Sequence, residues 1–374
     1  MPSVTYVFKA GRKKDLLNNI DRANDFFYGA KEFEKQNFET NIIEYKKDSE
    51  KKSKVLKIAD RILVKISGYP FSMSKLLTNK NLKIFFNSDA VFLINESISF
   101  SFLPFAIILK LFRKVKINIF LMGISNLDKK RSGPSKTQKF LTSKLFKFSN
   151  NIYFLGNGEH RYAHNHYPKH SEKFKLAPFS VDYNFWNKSS NDEFVKRNGI
   201  LFVGNDGNRD FNLLLNIAKN ISDIDFTFVT QKIDEHETLP SNITLIEGSL
   251  HEKKLSDFEL GGLYSMCKMV ILPLKNSLQP SGQSVAMQAM ATKTPVLISK
   301  TMGFWNFEDF KDKKNIFFVE PNDLDNWIEK IRYLYQNVDL LFEVANNAEN
   351  LILTKYNTEN LFNLLFKDNF NLRK

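Results

Sequence analysis

Short apolar runs alternate with longer amphipathic stretches along this chain. VTYVFK (4–9) has the pattern of a strand, closed by Gly11. Residues 24–36 carry helical spacing, and NIIEY (41–45) reads as a second strand. RILVKIS (61–67), KIFFNS (83–88), AVFLIN (90–95), INIFLMG (117–123) and NIYFLGN (151–157) continue the series as short buried strands. The pattern then breaks at NKSSNDEFVKRNG (187–199), a polar stretch with the composition of a linker. A second series follows at once. ILFVGN (200–205), DFTFVT (225–230), NITLIEG (242–248), MVILPL (269–274), TPVLIS (294–299) and NIFFVE (315–320) read as strands. DFNLLLNIAKNI (210–221), SVAMQAMA (284–291) and DLDNWIEKIRYLYQN (323–337) read as helices, the last with an aspartate N-cap. Strands alternating with helices predict βαβ units and parallel sheets, hence an α/β fold. The expected organisation is two Rossmann-like domains, 1–186 and 200–354, joined by the linker 187–199 and facing each other across a cleft.

Composition narrows the function classes. With 43% apolar and 25% charged residues among 374, the chain has the composition of an ordinary globular protein, and wholesale disorder is excluded. The single cysteine, Cys267, rules out an intrachain disulfide and a Cys-rich zinc site, and it fits a reducing compartment. The N-terminal MPSVTYVFKAGRKK lacks the blocks of a signal peptide, and no run reaches the roughly 18 apolar residues of a membrane span. A cytoplasmic protein is expected, with the inner face of a membrane as a second address. The net charge of +13 suits an anionic partner or a lysine-rich solvated surface equally. No nucleic-acid motif accompanies it, so nucleic acid is not an expected partner.

Three segments have the makings of chemistry. In LQPSGQSVAMQAMATKTPVLIS (278–299), Ser281, Gly282, Gln283 and Ser284 stand where a loop enters a helix. Free backbone N–H groups and the helix dipole make such a position suitable for a phosphate, and Gly282 lets an anion approach the backbone. A plain capped turn fits the same residues. In FVGNDGNRD (202–210), Gly204 and Gly207 flank a loop whose only cation is Arg209, placed to hold a diphosphate or to face solvent. The glycines do not match G-x-G-x-x-G, so a nicotinamide or flavin is not indicated. In APFSVDYNFW (177–186), Asp182 lies among aromatics beside the linker, as a ligand contact or as a cap.

These segments together resemble the GT-B glycosyltransferases, most closely family 4. PSGQSVAMQAMATKTPVLIS (280–299) follows the family's E-G-F-G-x-x-x-x-E-A-M-A-x-G-x-P-V-I through Ala289-Met290-Ala291 and Pro295-Val296. FVGNDGNRD resembles its V-G-R-x-x-x-x-K loop, and FSVDYNFW its G-V-D-x-x-x-F approach to the linker. The resemblance covers most of 177–340 and extends more weakly over 1–176, where LMGIS (121–125) stands at the family's H-G turn. It implies retaining transfer of a sugar from a nucleotide-diphospho-sugar, a UDP- or GDP-sugar, to a lipid-linked or polysaccharide acceptor, with no metal and no further cofactor. Ser281, Gly282, Gln283, Ser284, Gly204 and Arg209 are then expected at the donor diphosphate, with Arg209 acting in catalysis. Gln288 is expected at the ribose, and Gly11, Arg12 and Asp182 on the acceptor side of the cleft. The base is expected near Thr230–Lys232 and Glu247–Leu250. By analogy the C-terminal helix, about 355–374, packs back on the first domain. The departures are Pro280 and Gln288 in place of two glutamates, Ser180 in place of a glycine, Met122 in place of a histidine, and Asn205 in place of an arginine. They point to a divergent transferase or, alternatively, to a catalytically silent GT-B partner subunit that binds nucleotide or glycan.

Two weaker signals remain. His160 and His164 lie one helical turn apart, yet a metal site is not expected of them. SFSFLPFAIILKLFRKVKI (99–117) is apolar and then basic, which suits either a peripheral membrane contact or a buried helix with a basic end.

Overall fold

The computed structural model describes residues 1–9, 11–13, 22–44, 53–125, 133–190, 194–233, 238–247 and 255–370. The first half contains β1 (Ser3–Phe8), α1 (Ala30–Lys35), β2 (Glu39–Glu44), α2 (Lys54–Ser67), α3 (Met73–Leu76), α4 (Asn79–Asn87), β3 (Ala90–Ile94), α5 (Glu96–Phe112), β4 (Lys116–Leu121), α6 (Lys136–Phe148), β5 (Asn151–Phe154), α7 (Asn157–His166), β6 (Phe174–Leu176) and α8 (Tyr183–Trp186). The second contains β7 (Ile200–Val203), α9 (Phe211–Asn220), β8 (Phe226–Val229), β9 (Ile243–Ile246), α10 (Asp257–Met266), β10 (Met269–Leu272), α11 (Gln283–Ala291), β11 (Val296–Ser299), β12 (Phe317–Val319), α12 (Leu324–Gln336), α13 (Val338–Thr354) and α14 (Thr358–Asn369). Each half builds one parallel six-stranded sheet, in the orders β2-β1-β3-β4-β5-β6 and β12-β11-β10-β7-β8-β9. The chain has the α/β architecture that the pattern predicts.

Because helices cover both faces, strands β1, β3 and β4 are buried at nearly every position instead of alternating. Tyr6, Phe92, Phe120 and Tyr153 point to the face that meets the second half. Val7, Leu93, Ile119 and Phe154 point to the other. The first group belongs to a core that runs on without a break through Trp186 to Val270, Leu272 and the inner side of α11. The last helix, α14, returns to the first half. Phe362 meets Phe33 edge-on at 4.8 Å, and the Tyr153 hydroxyl donates to Asp368. Residues 371–374 of the expected C-terminal helix lie outside the described residues.

Two expected strands are helices. RILVKIS belongs to α2, capped by Ser53 and ended by Gly68 in the left-handed region. Its inward side chains Leu56, Ala59 and Leu63 recur at helical spacing, which the seven-residue run conceals. KIFFNS belongs to α4, where the Thr78 side chain caps the helix and Phe85 alone is buried. The segment 99–117 is mainly the buried helix α5, with Ile108, Leu111 and Phe112 exposed at its end. Among the described residues no helix is long and apolar enough to cross a membrane.

Candidate functional site

In an open parallel sheet a crevice forms where the strand order reverses, beyond the carboxyl ends of the strands. In the second sheet that point lies between β7 and β10. The loop after β7 carries Gly204 to Asp210, and the loop after β10 leads to Gly282. A bridge between Arg209 and Leu274 ties the two loops together. The topology therefore brings the two sequence-nominated phosphate segments to one place.

Arg209 is the centre of this crevice. Its side chain is 3% exposed and threads between two glycines. A Cβ built on Gly204 would lie 2.3 Å from its Nε, and one on Gly282 2.9 Å from its Nη1. Gly282 also has φ +81°, a backbone region that side chains disfavour. The Asp206 carboxylate is 3.4 Å from Nε without hydrogen-bond alignment, and neither Nε nor Nη1 has a hydrogen-bond partner. Burial lowers the guanidinium pKa and Asp206 opposes the shift. A buried cation with unmet N–H groups costs free energy unless an anion meets them. Ser281 donates from Oγ to Asp206, so the carboxylate links the two loops.

Gly282 opens α11, and no side chain caps that helix. Its first-turn N–H groups, from Gln283 and Ser284 onward, start beside Arg209. The Gln283 side chain turns away from them. It accepts from the Phe179 N–H at 2.9 Å and donates to the Leu155 carbonyl, stitching the second half to the first. Gln288 is likewise occupied. Its amide donates to Asp25 at 2.8 Å and accepts from the Tyr264 hydroxyl, so the expected ribose contact is engaged between the halves. Asn205 accepts from Thr230 Oγ1 and from the Gln231 N–H, fixing the loop after β8, and Gln231 reaches Glu247. Residues 248–250, expected beside the base, lie outside the described residues. Gly207 has open space around it.

The facing edge belongs to the first sheet. Gly11 and Arg12 follow β1, and the Arg12 guanidinium lies over the Phe26 ring at 4.8 Å. Asp182 caps α8 and accepts from both Asn24 nitrogens, which gives it a positioning role at the crossover. Three carboxyls that the sequence reading missed line this edge. Asp25 accepts from Trp186 Nε1, Gln288 Nε2 and the Asp182 N–H, and burial pushes it up to about 7. Glu96 accepts from the N–H groups of Met122 and Gly123, and burial raises it. Glu159, fully buried, accepts from the Ser125 N–H and hydroxyl through Oε1 while Oε2 has no hydrogen-bond partner. Burial and then Glu96 push it up to about 8. Glu96 and Glu159 thus hold the LMGIS turn that stands at the place of the H-G turn.

The two edges touch at the start of α7. A Cβ on Gly158 would lie 2.5 Å from the Leu278 carbonyl, and one on Gly156 2.9 Å from Pro280. Gln279 donates to the Met122 carbonyl and accepts from Asn208. Pro280 therefore serves as a packing surface for the first half. His160 and His164 contact each other at 3.3 Å, and among the described residues no group of three or more His, Cys, Asp or Glu side chains gathers.

Residues 197–337 match the family model described as glycosyl transferases group 1. No curated protein sequence is significantly similar to the chain. Among solved structures, a glycosyltransferase from Rickettsia africae ESF-5 is similar over 100% of this chain and 99% of its own, at 13% identity and TM-score 0.67. Sucrose-phosphate synthase from Thermosynechococcus elongatus is similar over 98% of each chain, at 10% identity and TM-score 0.66. Anabaena HepE, solved in complex with UDP-glucose, is similar over 98% of this chain and 99% of its own, at 10% identity and TM-score 0.61.

Proposed function

We propose that this chain, a GT-B glycosyltransferase whose residues 197–337 form a group 1 domain, moves a sugar from a UDP-sugar to a lipid-linked or polysaccharide acceptor with retention of configuration. The observation that carries the reading is Arg209, a buried guanidinium with unpaired N–H groups, walled by two glycines and next to an uncapped helix N-terminus. Those are the donors a diphosphate needs as it departs. UDP is favoured because a relative of the same fold was solved with UDP-glucose.

In the proposed step the bond between the sugar C1 and the diphosphate oxygen breaks while an acceptor oxygen bonds to C1 from the same face. The acceptor proton passes to the departing diphosphate. Arg209 and the first-turn N–H groups of α11 take up the developing negative charge, so positioning and charge stabilisation supply the catalysis. Gly11, Arg12 and the turn held by Glu96 and Glu159 form the acceptor side. The setting is the cytoplasmic face of a membrane.

The test is nucleotide release from UDP-, GDP- and ADP-sugars, comparing wild type with Arg209→Ala and Gly282→Ala. Release from a UDP-sugar, lowered at least about tenfold in both variants, is expected. No release together with no thermal stabilisation by UDP would overturn the reading. Stabilisation by UDP without turnover of any donor would favour a silent partner subunit instead, a reading motivated by the engagement of Gln288 between the halves.

A further inference from the structure

The first half displays an apolar stripe that the donor crevice does not explain. Helix α2 presses Leu56, Ala59 and Leu63 inward against the core. Its buried Asp60 accepts from the N–H groups of Met73 and Ser74, which pins the helix to the start of α3. The adjoining side of the helix, next to these inward residues, carries Val55, Ile58, Ile62 and Ile66, and these are 74%, 57%, 52% and 63% exposed. Spacings of three and four residues put these four in one line along the helix. Lys54, Lys57, Arg61 and Lys65 are exposed beside that line, and Asp60 is the only acidic residue of the helix. The neighbouring α6, whose Gln138 lies next to Gly68, adds an exposed Phe140 together with Lys136 and Lys139.

A solvated surface helix has no reason to line up four branched aliphatics in water. A protein partner of ordinary composition would not require a border whose described exposed charges, Lys54, Lys57, Arg61 and Lys65, are all cationic. An anionic lipid surface meets both features. Headgroups pair with the ammonium and guanidinium groups, and the stripe sinks to the acyl boundary. We propose that α2 is an in-plane anchor that docks the first half on an anionic membrane. This assigns the contact to α2 in place of segment 99–117, whose apolar residues are mostly buried in α5. The anchor extends the lipid-linked acceptor of the proposed reaction, yet it rests on α2 alone.

The experiment is co-sedimentation of the full chain with phosphatidylcholine vesicles, with and without about 30% phosphatidylglycerol. Wild type is expected to pellet with the anionic vesicles and to be released by salt. The doubly substituted Ile58→Asp, Ile62→Asp chain is expected to bind at least about tenfold more weakly. Lys57→Glu, Arg61→Glu, which leaves the stripe intact, is expected to lose a similar factor. Melting temperature and stabilisation by UDP serve as fold controls and are expected to be unchanged. A wild type that stays in the supernatant would overturn the anchor. So would variants that pellet like wild type. A stripe substitution that turns a dimer into a monomer, with no vesicle binding by wild type, would overturn it in favour of self-association. Nucleotide release without acceptor is read separately, so failure of the anchor and failure of the transfer reading are told apart.

Discussion

The two sheet edges that face each other are built from opposite chemistry. The second-half edge presents donors: the unpaired nitrogens of Arg209 and the uncapped start of α11. The first-half edge presents carboxyls, Asp25, Glu96 and Glu159, each raised by burial and each holding backbone N–H groups. One edge keeps a buried cation whose Nε and Nη1 lack hydrogen-bond partners, and the other keeps its carboxyls buried and hydrogen-bonded, which disfavours their charge. A departing diphosphate needs the first arrangement. A neutral hydroxyl acceptor needs a site without a strong anion pulling at the donor phosphates, which the second arrangement supplies. On the proposed reading, one wall of the cleft attracts a dianionic group while the other does not repel it.

The comparison breaks most sharply at Arg209. On the proposed reading Arg209→Ala removes the buried cation of the donor wall, and turnover is expected to fall about 100- to 1,000-fold, in line with the loss of a preorganised donor to a developing oxyanion. Arg209→Lys restores charge without two parallel donors and is expected to recover only part of it. Initial rates of nucleotide release check both. Should Arg209→Ala keep full turnover, the two edges would not differ in function.

Next in size is the stitch between the edges. Gln283→Ala leaves the Phe179 N–H and the Leu155 carbonyl, both buried, without partners. Stability is expected to fall by about 2–4 kcal/mol, read from denaturant unfolding. Release of nucleotide per folded molecule is expected to change much less, because the Gln283 backbone N–H stays at the helix start. A loss of turnover out of proportion to stability would move Gln283 from the interface into the donor wall.

How much of this was legible in the sequence follows from the range of the contacts involved. Gly204, Arg209 and Gly282 sit in strand–loop–helix segments, and such segments announce their place at a sheet edge through local pattern alone. The direction of a side chain carries no local signal. Gln283 and Gln288 look like donor contacts beside Gly282, yet their amides meet Leu155, Phe179 and Asp25, between 104 and 263 residues away. Asp25 in DFFYG and Glu159 in GNGEHRY gave a faint hint, an acid among aromatics or glycines, and only three dimensions reveal them as buried. RILVKIS failed for another reason. The apolar arc of α2 runs from its core side onto the adjoining exposed side, so a short window sees a nearly unbroken run, as in a buried strand. Ser53 as a cap and Val55, Ile58, Ile62 and Ile66 at helical spacing were the available clues.

The smallest expected effect tests whether the first-half edge is neutral. Glu159 ionises near 4.5 in an unfolded chain and near 8 in the folded one, because burial and Glu96 disfavour its charge. Between those values the folded state holds a proton that the unfolded state releases. Stability is therefore fully present below about pH 4.5 and is lost as pH rises through about 8. Relaxation around the pair trims the full linkage, and a loss of about 1–3 kcal/mol over the window is expected. Glu159→Gln keeps an acceptor for Ser125 and has no proton to release. Asp25 and Glu96 contribute to the slope in both proteins, so the difference between the two curves isolates Glu159. Melting temperatures from about pH 5 to pH 8 are expected to fall more steeply for wild type than for the variant, the gap widening toward pH 8. Parallel curves would mean that Glu159 is charged in the folded protein across this range. The first-half edge would then carry an anion facing the diphosphate, and the opposition between the two walls would have to be drawn from Arg209 alone.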